Sequence, residues 1–346
     1  MSENAPATRR SKRSPESADG ILRIVIIVLV SSVIGLGALL GYSVWQGRQA
    51  ELTATPAQRA IKDLKAAVKK SPNSAATRVR LGEALAAAGQ LKPAAEQLQI
   101  AIKLDKNHTG AYLDLGIIAM ENEDYGPAEK YFSKVVELTQ VTQFEAMNER
   151  REQALFHLGE IALEQRRYED AAGYFKGALR IRKDASDTYY LLAQSLRGMG
   201  EDVAAVKQLN AALAFDPNYP EAHYLYGMIL LDEGDKINAA IHLRKAADLA
   251  PEQDQPAAAL KKLGTSKQTV KDGRDQLKAG QFKAAIDAAL LATALDPENA
   301  DAVVFHAEAL TADGDIAGAK KVLKAALVLM PDDTDLKNKL AELGAK

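Results

Sequence analysis

Between residues 75 and 333 the apolar positions follow a helical period, and the pattern itself recurs. Small residues at Gly82, Gly116, Gly159, Ala193, Gly227, Gly273 and Ala307 stand 34, 43, 34, 34, 46 and 34 residues apart. Twelve residues after each comes an alanine: 94, 128, 171, 205, 239, 285 and 319. Four residues later a large apolar side chain follows (Leu98, Phe132, Phe175, Leu209, Leu243, Leu323), except in the sixth unit, which has Ala289. This spacing predicts pairs of helices. The first helix is small where the second crosses it, and the second brings alanines to the meeting face and one knob to fill the gap. Gly89, Gly200, Gly234, Gly280 and Gly314 fall where first helices end, at a left-handed position that suits glycine.

Seven such units are predicted over 75–108, 109–142, 152–185, 186–219, 220–253, 266–299 and 300–333. One pair cannot bury its apolar face alone, so the units must stack and the ends need caps. Residues 47–74, a linker and half-repeat helix, and the amphipathic segment 334–346 with Leu336, Leu340 and Leu343 supply them. The insertion around Gln143 to Arg151 has no glycine or proline and predicts an extended helix. The insertion from Gln253 to Gly264 predicts an extra short helix that splits the array after the fifth unit. Asp272 stands where the sixth unit needs an apolar residue, so its first helix is expected to be looser.

Ahead of the repeats, residues 24–45 form an uncharged run of 22 residues. As a helix it is roughly 33 Å long at 1.5 Å per residue, enough for a hydrocarbon core of about 30 Å. Arg9, Arg10, Lys12, Arg13 and Arg23 precede it, and Tyr42 and Trp45 close it. No small-x-small cleavage site follows. The expectation is one transmembrane signal anchor over 21–46 behind a disordered cytoplasmic tail, 1–20, with the repeats extracytoplasmic. If the cell is bacterial, the membrane is the inner one. Gly37 and Gly41 make a step at which two spans could pack as a homodimer.

Composition narrows the chemistry. Lys and Arg number 44 against 46 Asp and Glu, which removes a whole-chain case for nucleic-acid binding. Cysteine is absent, excluding disulfides, thiolate metal sites and catalytic thiols. The histidines at 108, 157, 223, 242 and 306 are scattered without ligand spacing. No phosphate loop, nucleophile elbow or zinc helix occurs. No enzyme, cofactor or metal is therefore expected.

The 34-residue unit with these small and apolar positions resembles the tetratricopeptide repeat family, although the family's first-helix tryptophan is never present. The resemblance implies an all-α, right-handed solenoid of helix–turn–helix units, here preceded by one transmembrane helix. It also implies a protein or peptide partner held on the inner wall of first helices. On that wall lie Leu113, Ile117, Phe156, Glu160, Tyr190, Gln194, Arg197, Tyr224 and Met228. Relatives of this layout imply envelope work such as secretion, pilus or cytochrome c assembly; chaperone-like binding of varied clients beside the translocon is the alternative. Lys267, Lys271, Arg274 and Lys278 form a basic stripe on the sixth unit, read as a solvated face or a contact for an acidic partner or phosphate headgroups.

Overall fold

The computed structural model describes residues 35–43, 45, 55–139 and 148–344. Among these every regular element is an α-helix. Half of the apolar run, residues 24–34, lies outside the described residues, as do the tail and residues 140–147; residues 35–43 are helical. No described helix is long and apolar enough to cross a membrane.

The chain falls into two bodies, 1–106 and 107–346. The first contains α1 (Pro56–Lys70), α2 (Ala75–Ala87) and α3 (Leu91–Leu104). Thr55 opens α1 with a reciprocal cap: its hydroxyl accepts from the Gln58 amide and its own amide donates to the Gln58 side chain. Ile61 turns the buried side of α1 inward, and α2 packs between α1 and α3.

The second body begins with α4 (Thr109–Glu121), α5 (Tyr125–Leu138), α6 (Glu149–Glu164) and α7 (Tyr168–Ile181). It continues with α8 (Ser186–Gly198), α9 (Asp202–Phe215), α10 (Pro220–Asp232) and α11 (Lys236–Leu249). A short α12 (Asp254–Lys262) follows, then α13 (Ser266–Lys278) and α14 (Phe282–Leu295). The body closes with α15 (Ala300–Ala312), α16 (Ile316–Leu329) and α17 (Thr334–Gly344). The helix α6 starts three residues earlier in its unit than α4 or α8 in theirs, where Asn148 caps it by accepting from the Arg151 amide. At the far end Leu336 and Leu343 of α17 are buried with Leu323 and Ala307.

The glycine and alanine positions explain how the pairs close. A Cβ built on Gly82, Gly116, Gly159 or Gly227 would lie 2.5–2.7 Å from Leu98, Phe132, Phe175 or Leu243 respectively. Each of those knobs is wholly buried, as are the second-helix alanines from Ala94 to Ala319. A buried Leu or Phe contributes about 1.5–3 kcal/mol, so one knob per unit makes up much of each unit's core. The residue that ends each first helix has positive φ throughout. Five are glycines, and Glu123 and Arg166 adopt φ of 60° and 59°.

Two features depart from the even array. The helix α11 packs against both α12 and α14, with Ala240 and Leu243 in one apolar cluster with Leu260 and Leu295. After the fifth unit α11 thus meets the inserted helix and the second helix of the sixth unit, and the division of the chain into two bodies falls at Lys106 and Asn107. In the sixth unit, α13 is a full helix with Val270 and Gly273 buried, but Ala289 is too small to fill the notch over Gly273. Phe305 of α15 fills it instead, 2.6 Å from a Cβ built on Gly273.

Candidate functional site

First helices α4, α6, α8 and α10 stand side by side, each in contact with the next. This row places the nine residues singled out from the sequence, and their surroundings differ. Leu113 is buried in the cluster around Phe132 and Val135 and does not line a surface. Ile117 packs at the edge of the same cluster and is half-buried. Phe156 is half-buried as well, its ring edge-on to Phe175 at 6.1 Å and to His157 at 5.5 Å. Glu160 meets His157 Nδ1 at 2.7 Å. These residues give units two and three an apolar strip with one carboxylate on it.

Unit four is more polar and more tightly organised. The Gln194 amide donates to the Tyr190 hydroxyl at 2.8 Å, and the Tyr190 ring lies 5.1 Å from that of Tyr219. Burial, with a smaller contribution from the Glu221 carboxylate, pushes the Tyr190 phenol up to about 12. The phenol thus stays protonated and keeps one O–H to donate. Arg197 donates to Asp232 at 2.7 Å and to the Leu225 carbonyl at 3.4 Å, linking α8 to α10.

Tyr224 and Met228 do not continue this surface with Tyr190. They pack against the cluster that holds Ala259 and Leu260 of α12, whereas Tyr190 belongs to the cluster of units three to five. The helix inserted after the fifth unit therefore takes up part of the face that the repeat alone would leave open. The partners of the sequence-predicted residues carried little signal. Asp232 lies 35 residues after Arg197, a repeat plus one, and Tyr219 sits in the turn before α10.

Elsewhere the structure brings together two histidines that the sequence left apart. His223 and His242 approach at 2.9 Å between their Nδ1 atoms, and His223 Nε2 lies 3.1 Å from the Pro217 carbonyl. The carbonyl can only accept, so His223 carries its proton on Nε2 and His242 donates from Nδ1. Burial, with a contribution from His223, lowers His242 to about 4; burial also lowers His223. Both rings are neutral at pH 7. Among the described residues no group of three or more His, Asp or Glu side chains is placed to hold a metal.

Family models described as tetratricopeptide repeat match residues 50–108 and 113–187, 162–229 and 276–343, and 220–253. Among solved structures, a crystal structure of YrrB, a TPR protein with an unusual peptide-binding site, aligns at 20% identity and a TM-score of 0.52. The alignment covers 58% of this chain and 100% of that one. MamA from Desulfovibrio magneticus RS-1 aligns at 22% identity over 52% of this chain and 97% of that one, with a TM-score of 0.46. PilF of Pseudomonas aeruginosa aligns at 18% identity over 68% of this chain and 97% of that one, with a TM-score of 0.43. No curated protein sequence matches the chain. At these identities the structural likeness speaks for the fold alone. The matched segments, together with the helix pairs and their small-residue notches, assign the chain to the tetratricopeptide repeat family.

Proposed function

We propose that the protein is a non-catalytic scaffold that holds a peptide segment of a partner protein along the first helices of units two to four. The observation that carries this reading is the row α4, α6, α8, which presents half-buried Ile117, Phe156 and Tyr190 beside Glu160 and Gln194. Large rings with a few polar handles suit peptide recognition, because rings give contact area and the handles fix register. The likeness to a TPR protein with a peptide-binding site agrees with this use of the fold. The surface ends with α8, because Tyr224 and Met228 pack with α12 instead of continuing it.

The uncharged run 24–45 and the basic residues before it support a single membrane anchor with the repeats on the far side, the inner membrane in a bacterium. A scaffold for envelope assembly follows from that placement. A reporter fused after Lys346 tests the topology: activity only outside the cytoplasm agrees, and activity of a cytoplasm-only reporter refutes it. The binding surface is tested with photo-cross-linkers at positions 117, 160 and 194, with 176 and 207 on second helices as controls. A discrete partner captured from the first three positions and not from the controls supports the groove. Equal capture from both faces refutes it, and a broad mixture of captured proteins points to a chaperone.

A further inference from the structure

A cavity of about 530 Å³ opens where α11, α12, the start of α13 and the end of α14 meet. Arg244, Lys261 and Lys267 line it, against Asp296 as the one carboxylate. None of the three cations has an ion-pair partner among the described residues. On the neighbouring stripe, by contrast, Arg274 is paired with Asp301 and Lys278 with Asp275. Arg244 gives one N–H to the Leu295 carbonyl at the end of α14, while its buried Nε has no acceptor.

The uncharged polar groups on the wall are also set to donate. Thr265 Oγ1 already accepts from the Gln268 amide at 3.3 Å, and Ser266 Oγ accepts from the Asn299 side chain at 2.9 Å. Each hydroxyl keeps an O–H to give. The wall is therefore rich in donors and carries an excess of positive charge, its cations coming from three different helices. A ligand that only accepts, bears up to two negative charges and spreads its oxygens in three dimensions matches it. A phosphate has those properties, whereas a planar carboxylate reaches fewer of the donors. The volume exceeds that of a bare phosphate, and Leu260, Leu295 and Ala257 leave an apolar side for the rest of the molecule.

We propose that this cavity binds the phosphate group of a small soluble molecule. Such a ligand would join α11 to α12 and α13, fixing the inserted helix that also meets Tyr224 and Met228. The site is independent of the partner groove.

The test uses the full-length chain, with inorganic phosphate and glycerol 3-phosphate as probes, followed by phosphorus NMR and calorimetry in constant chloride. Saturable binding of either probe is expected, weakened at least about tenfold in Lys261→Glu/Lys267→Glu. Both lysines are exposed, so melting of the double variant without ligand should match the parent. Arg244→Met should weaken binding as well, and Lys320→Glu/Lys324→Glu on α16 should not. Absence of saturable binding overturns the proposal, as does equal binding by parent and double variant. Binding to phosphatidylglycerol vesicles without binding to either soluble probe also overturns it, assigning the charge to a lipid surface instead.

Discussion

The second and sixth repeat units solve one packing problem in opposite ways. In unit two the notch over Gly116 is filled by Phe132, from the second helix of the same unit. In unit six the notch over Gly273 is filled by Phe305, from the first helix of the next unit. The Phe305 ring is further held under the Arg274 guanidinium at 5.8 Å, and Arg274 forks onto Asp301. The chemistry of each notch is the same, a missing Cβ against a ring. What changes is ownership of the ring. A unit with its own knob fills its notch from within; a unit that borrows one has its notch filled only when its neighbour is folded. The basic stripe predicted as a solvated face is therefore partly internal, because Arg274 belongs to the joint between units six and seven.

Phe305→Ala should have the largest effect, about 3–5 kcal/mol from the emptied notch. Hydrogen exchange should then rise together across α13 to α17 while α6 to α9 stay protected. Protection lost only in α15 would show that unit six closes without its neighbour. Adding Ala289→Leu to that variant should recover part of the loss by giving unit six a knob of its own; additive destabilisation would mean the leucine cannot reach the notch.

Gly159→Leu tests the self-contained arrangement, since its side chain would have to displace Phe175, at a cost of about 1–3 kcal/mol or more. Unchanged thermal unfolding would place the notch elsewhere in the unit.

A pH-dependent loss should come from unit five. The folded state holds His242 near 4, below the ordinary 6.5, so the unfolded chain binds more protons between those values. Stability is fully present above 6.5 and falls as the pH drops toward about 4. Lys245 disfavours a charge on His223 and Asp216 favours it, both more weakly than burial. His242→Gln should flatten this acid limb; an unchanged slope would assign it to other groups. The smallest effect is a gain. Arg166→Gly removes a side chain from a left-handed position and should add about 0.5 kcal/mol, the steric relief exceeding glycine's entropy cost. A lower melting temperature would show that Arg166 makes contacts worth more than its strain.

The helix pairs were legible because a notch and its knob recur at fixed spacing, and the residues concerned have no exposure to spare. Ala289 showed that unit six lacked a knob, but not where a replacement came from: Phe305 is one more aromatic on a first helix until α13 and α15 are placed together. The candidate surface was legible in part. Period alone put Tyr190 and Tyr224 in equivalent positions, but the insertion after unit five follows no period, and its Leu260 joins the cluster that takes Tyr224. Leu113 lies one helical turn from Ile117 and the two look alike in sequence; the depth of the Phe132 cluster separates them. His223 and His242 are 19 residues apart on different helices of one unit, a distance at which no ligand spacing can be read.

The borrowed ring also sets where the chain can be shortened. A cut after Pro251 leaves five units whose notches are filled from within or by alanine, and bares only the face of α11 that packs on Leu260 and Leu295. A cut after Pro297 removes Phe305 and Asp301 together, exposing an open notch over Gly273 and an unpaired Arg274. Units six and seven are thus removable only as a pair, and an array lengthened by duplication should copy both or neither.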